Sequence, residues 1–245
     1  MRVGCDLDGV LADLHTAFTA AAVRLFPELD ASLIPADVGS SPPDGEQVNG
    51  ESSEVPAAPT IDRRAPLTRR QIDGVWSHLA AIPDFWDTLD EIEAGSVKRL
   101  ASIAEAERWE VIFLTSRPRV DGRTIQRQSQ RWLDRKGFPM PSVFVVHGSR
   151  GRIADALGLD VVIDDRPDNC LDIALESKAR AILVWRGAAS AVPASAKRLG
   201  IGTVATVSAC LDLIVEAQKA ANTPLDFTQR LRRLLGLQSR ASTRL

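Results

Sequence analysis

Short apolar runs alternate with helical stretches along most of the chain. RVGC at 2–5 reads as a strand without a polar face. Residues 13–29, DLHTAFTAAAVRLFPEL, come next, with Leu14, Phe18, Ala22 and Leu25 on one helical face and Pro27 near the end. LTRRQIDGVWSHLAA predicts a helix through residue 81, and GSVKRLASIAEAERWE a second, with Val97, Leu100 and Ala104 facing inward. Beyond it, VIFL at 111–114, VFVV at 143–146, DVVI at 160–163, ARAILVW at 179–185 and GTVATV at 202–207 read as strands. GRTIQRQSQRWLDRKGF predicts a helix ending at Gly137, GRIADALGL a short one, and SACLDLIVEAQKAA a closing one. Continuous apolar strands separated by helices predict an α/β fold: a Rossmann-like parallel sheet covered on both faces.

The pattern breaks once. Residues 35–66 carry six prolines with Gly, Ser and acids between them. Such a stretch buries little, so 31–66 is expected to be a flexible loop within an insertion. The expected division is a core of 1–29 plus 95–221, an insertion at 30–94 and a basic C-terminal helix or tail at 222–245.

Composition narrows the classes. The 245 residues fit one large domain, or a domain with an inserted subdomain. A net charge of −2 argues against generic binding to a nucleic-acid polymer or a membrane. No apolar run is long enough to cross a bilayer and no secretory leader precedes the first strand. Cys5, Cys170 and Cys210 are odd in number and widely spaced, which predicts buried free thiols in a reducing compartment. The expected location is the cytoplasm.

In parallel sheets, ligands sit beyond the carboxyl ends of the strands. Those ends read Asp6-Leu7-Asp8-Gly9, Thr115-Ser116-Arg117-Pro118, His147-Gly148-Ser149-Arg150 and Asp164-Asp165-Arg166-Pro167. Taken alone, an Asp or a Thr after a strand is an ordinary turn or cap residue. Together, up to four carboxylates at neighbouring ends repel unless a cation sits among them or some are protonated. Hard oxygen donors, with no Cys or His cluster, point to Mg2+. His147 reads as a loop hydrogen-bonder, and His15 and His78 receive no role. Asp13 reads as the cap of the first helix.

DLDGV, LTSRP, Arg150 and IDDRPDN resemble, in order and spacing, the four motifs of the haloacid dehalogenase-like phosphatases; Arg150 precedes Asp164 by fourteen residues. DGVLAD, DFWDTLDEIEAG and IDDRPDN narrow the resemblance to the 5′(3′)-deoxyribonucleotidases. The resemblance implies Asp6 as nucleophile and Asp8 as general acid and base. It implies Thr115 and the Ser116 backbone N–H as phosphoryl donors. Arg150 stands where the family usually has Lys, with Arg152 as the alternative. Mg2+ would be held by Asp6, the Asp8 carbonyl, Asp164 and Asp165, with Asp164 favoured as the direct carboxylate.

The insertion is expected to form a small helical cap. Phe85 and Trp86 either stack on a nucleobase or pack the cap onto the core. Arg117 and Arg166 are placed near a phosphate or ribose, and Arg166 alternatively caps a helix or pairs with Asp168. The implied substrate is a small phosphorylated metabolite, a nucleoside (deoxy)5′-monophosphate first. The alternatives are another phosphomonoester, such as a sugar phosphate, or a non-catalytic binding protein. A homodimer is left open. The tail 222–245 carries five arginines and one acid, with Leu225, Leu231, Leu234 and Leu235 on a possible apolar face.

Overall fold

The computed structural model describes residues 1–34 and 67–220. The proline-rich stretch 35–66 and the basic tail therefore lie outside the described residues. Six strands are present: β1 (Arg2–Asp6), β2 (Glu110–Thr115), β3 (Ser142–Val145), β4 (Val161–Asp164), β5 (Arg180–Val184) and β6 (Gly202–Val204). They form one parallel sheet in the order β3-β2-β1-β4-β5-β6. This is the expected Rossmann-like α/β architecture, and the order reverses between β1 and β4, the crevice where such sheets bind ligands.

The helices are α1 (Leu14–Leu25), α2 (Arg69–Ala80), α3 (Ser96–Ala106), α4 (Ile125–Arg135), α5 (Arg150–Ala156), α6 (Pro167–Glu176), α7 (Ala194–Leu199) and α8 (Val207–Ala220). Their caps are local chemistry. The Asp13 carboxylate accepts from the Thr16 N–H at 3.0 Å, as expected, and Thr68 and Gln71 form a capping box at α2. The inward faces of α1 and α3 are as predicted except at Leu25, which is 38% exposed at the end of α1. Two helices go beyond the sequence pattern: α6, which starts at Pro167, and the short α7.

The core fills both faces of the sheet. Val3, Cys5, Phe113, Ile163 and Ile182 sit in one cluster, and Leu114, Val162, Ile173 and Leu183 in the other. Removing each such side chain from water stabilises the fold by about 1.5–3 kcal/mol. All three cysteines are buried and free, matching the expectation.

The chain leaves and re-enters the sheet layer through paired segments. Ala12 bridges antiparallel to Glu91, Asp13 N–H donates to the Asp90 carbonyl, and Ile92 N–H to the Leu11 carbonyl. Between these points α1, assigned to the core from sequence, packs chiefly on α2. Residues 84–89 are fixed instead to α4. Arg131 and Arg135 both pair with Asp87, Arg123 pairs with Asp84, and Trp132 Nε1–H donates to the Leu89 carbonyl at 2.7 Å.

Candidate active site

Sheet register assembles the site. Asp6 is level with Leu114 on β2, so Thr115 lies one step beyond it. On the other side Cys5 is level with Ile163, which puts Asp164 beside Asp6. Residues more than a hundred apart in sequence thus meet at one point, because β1 is flanked by β2 and β4.

Asp6 is buried, and Arg150 Nη2 donates to its Oδ1 at 2.8 Å. Arg150 is the first residue of α5, behind the Ser149 cap. Arg152, the alternative, points outward and pairs with Glu176 at 3.5 Å, so it does not reach the site. The Thr115 hydroxyl and Arg150 Nη1 are both buried without a hydrogen-bond partner. Buried polar groups seldom stay unpaired, so two unused donors on elements that meet at Asp6 point to a place for an anion.

Burial pushes the Asp6 carboxyl well above the usual range, against the opposing pull of Arg150; the charges of Asp164, Asp165 and Asp8 push it further. Asp164 is raised mainly by burial, opposed by Arg150 and by hydrogen bonds from the Arg166 N–H and the Asn169 amide. Asp165 is raised to about 7 by burial and by the charge of Asp164. Its Oδ1 has no partner. Among the described residues no group of three or more His, Cys, Asp or Glu side chains clusters as a metal site. The donor set nonetheless fits a hard cation: two carboxylates and a backbone carbonyl, with Asp165 beside them carrying an unused oxygen.

Of the expected substrate contacts, Trp86, Arg117 and Arg166 line the site cavity and Phe85 does not. Arg117 is wholly buried, and its Nε and Nη2 donate to Oδ2 and Oδ1 of Asp8 at 2.8 and 2.7 Å. It is held by this carboxylate while lining the same cavity. Phe85 is also buried, edge-on to Trp86 at 4.9 Å, because residues 84–89 are pinned to α4; it belongs to the packing. Trp86 lines the site cavity, but Arg117 lies over its ring at 4.8 Å and its Nε1–H donates to the Pro118 carbonyl at 3.1 Å. Ser116 and Arg166 line the same cavity. The Arg166 backbone forms the cap of α6.

Sequence reasoning missed Trp76, Asn169, Ser129 and Arg186. Trp76, on α2, and Asn169, on α6, line the cavity with Asp6, Asp8 and Leu14. Arg186, just past β5, donates to the carbonyls of Gly9 and Val10 and pairs with Glu93 at 3.1 Å. Glu93 in turn accepts from the N–H groups of Val207 and Ser208 at the start of α8. A polar residue directly after an apolar strand was the available signal for Arg186.

No protein-family model matches the chain, and no curated protein matches it. Among solved structures, it resembles a Thermotoga maritima protein assigned as a beta-phosphoglucomutase, with a TM-score of 0.52 at 16% identity, over 88% of this chain and 98% of that one. At that identity the likeness is one of fold: this chain shares the sheet-and-helix architecture of that structure.

Proposed function

We propose that this protein is a Mg2+-dependent phosphomonoesterase working through an aspartyl-phosphate on Asp6, with nucleoside 5′-monophosphates as its preferred substrates. The observation that carries the reading is a buried Asp6 bonded to Arg150, with the second Arg150 nitrogen and the Thr115 hydroxyl left unpartnered beside it. A phosphoryl group would use both donors.

An Asp6 oxygen bonds to phosphorus while the ester O–P bond breaks, and Asp8 gives its proton to the departing oxygen. Asp8 then takes a proton from water, the water oxygen bonds to phosphorus, and the Asp6 O–P bond breaks to release phosphate. Arg150 and Thr115 hold the phosphoryl oxygens throughout. Asp6, Asp164 and the Asp8 carbonyl would hold Mg2+, with Asp165 beside them; the ion supplies charge neutralisation at the phosphoryl group.

Leu14, Trp76, Trp86 and Pro118 give the cavity an apolar side, and Arg166 and Asn169 a polar one. That mixture suits a heterocycle joined to a sugar. The fold likeness to a protein assigned as a beta-phosphoglucomutase favours a second reading, a sugar phosphate. The test is phosphate release from a panel of nucleotides and sugar phosphates, with Mg2+ and with EDTA, alongside Asp6→Asn. Turnover should need Mg2+ and vanish in Asp6→Asn. Turnover that persists in the variant would sink the mechanism, and wild-type protein inert on every substrate would favour the binding-protein alternative.

A further inference from the structure

None of the phosphatase roles uses Arg117. Yet it is among the largest fully buried side chains in the molecule. Its guanidinium is fixed on three sides. Nε and Nη2 grip both oxygens of Asp8, Nη1 donates to Ser129 Oγ at 2.9 Å, and the Trp86 ring lies 4.8 Å away. Trp86 is itself held, since its backbone N–H donates to Gln128 Oε1 at 3.0 Å. Gln128 and Ser129 are adjacent, fully buried polar residues on α4, which faces this clamp.

A planar fork on a carboxylate fixes both its position and its plane, which a point charge does not. A carboxylate has about four acceptor sites, so two remain after the fork binds. With both oxygens gripped, the Asp8 carboxylate is fixed in place and in plane toward the cavity it lines. We infer that Arg117 is a positioning residue, which holds the Asp8 carboxylate as the base for hydrolysis of the Asp6 phosphoester. This rests on the proposed aspartyl-phosphate reading. In the step it serves, a water O–H bond breaks and its proton goes to Asp8. The water oxygen bonds to phosphorus and the Asp6 O–P bond breaks, its electron pair returning to the Asp6 carboxylate. Misplacing Asp8 slows this half-reaction. The first half-reaction is spared when the leaving group departs without a proton, as 4-nitrophenolate does.

The experiment is rapid mixing of 4-nitrophenyl phosphate and Mg2+ with wild-type protein, Arg117→Met and Arg117→Lys. Wild-type progress curves should be linear. Arg117→Met should release a burst of one 4-nitrophenolate per protein, followed by a steady state slower by about 100-fold. A radiolabelled, hydroxylamine-sensitive acyl phosphate should be trapped during the slow phase. The kcat/KM should stay within about threefold, because it covers only the steps up to transfer onto Asp6. Arg117→Lys keeps the charge without the fork and should still show the burst. Ser129→Ala leaves both Asp8 contacts intact and loosens the clamp. It should show a smaller burst, and it carries the test if circular dichroism shows that Arg117→Met does not fold. Linear curves without trapped acyl phosphate, or kcat and kcat/KM falling together, would overturn this inference alone. Inert wild-type protein, or an active Asp6→Asn, would remove the phosphatase reading and this inference with it.

Discussion

The Asp165 carboxylate occupies the space that a side chain at Gly9 would need. Gly9 has φ of +79°, and a Cβ there would lie far inside contact with Asp165 Oδ2. Gly9→Ala therefore meets two penalties, a left-handed backbone and a clash with the half-buried Asp165 carboxylate. The expected result is a loss of about 1–3 kcal/mol in urea unfolding together with strongly reduced turnover. Unchanged stability would mean that Asp165 moves aside freely.

Thr115 makes the opposite prediction for stability. Its hydroxyl is buried and unpartnered. Thr115→Val keeps the shape and removes the unpaired group, so the ligand-free protein should gain up to about 1 kcal/mol. The same change removes the donor proposed for the phosphoryl group and should cut kcat by about 100-fold. A variant that is both less stable and fully active would contradict the role given to the hydroxyl.

Arg150→Lys tests the residue usual at this position in the phosphatases whose motifs the sequence resembles. Lys keeps the charge beside Asp6 but cannot both bind Asp6 and offer a second planar donor. Activity should fall about tenfold in Arg150→Lys and by about 100-fold or more in Arg150→Met, measured as kcat/KM. Equal losses in the two variants would show that the charge itself contributes nothing.

Asp165 sets a pH dependence. Its folded pKa of about 7 lies above the ordinary value of 3.8, so the folded state binds the proton more tightly than the unfolded chain. The stabilisation is fully present below the unfolded value and is lost as pH rises through about 7. Each unit of that rise corresponds to about 1.4 kcal/mol. In metal-free protein, Tm attributable to this group should fall between pH 4 and 8, and Asp165→Asn should flatten the slope and raise Tm at pH 8. A parallel slope in the variant would assign the effect to other groups.

The β-strands and the four strand ends were readable because a buried parallel strand is a continuous apolar run, and the residues just beyond its carboxyl end mark the ligand side. Partner choice was not readable. Arg117 is two residues from Thr115 in sequence, yet it turns to Asp8, because Ser129 and Trp86 form the pocket that holds it. Gln128 and Ser129 precede Trp132 and Leu133 by one helical turn, so their inward position was visible in the spacing although the polar side chains concealed it. For Phe85 and Trp86 both base stacking and packing stood open, and the ion pairs of Asp87 with Arg131 and Arg135 on α4 show how the segment is held, while Trp86 still lines the cavity. The helix α6 was hidden because its first turn, Pro167-Asp168-Asn169, is written in turn-forming residues; Pro at the first helical position is in fact a start signal.

The antiparallel pairing of Ala12 with Glu91 has a consequence for how such a chain can diversify. The excursion between them begins and ends at neighbouring, hydrogen-bonded points, so the sheet does not register its length or content. A different excursion could be grafted between Asp13 and Asp90 while the strand ends keep their carboxylates, hydroxyl and guanidinium in place. The cavity wall of Leu14, Trp76 and Trp86 would change with it, and with Trp86 one side of the pocket that holds Arg117, so the excursion and the strand ends are exchangeable only in part.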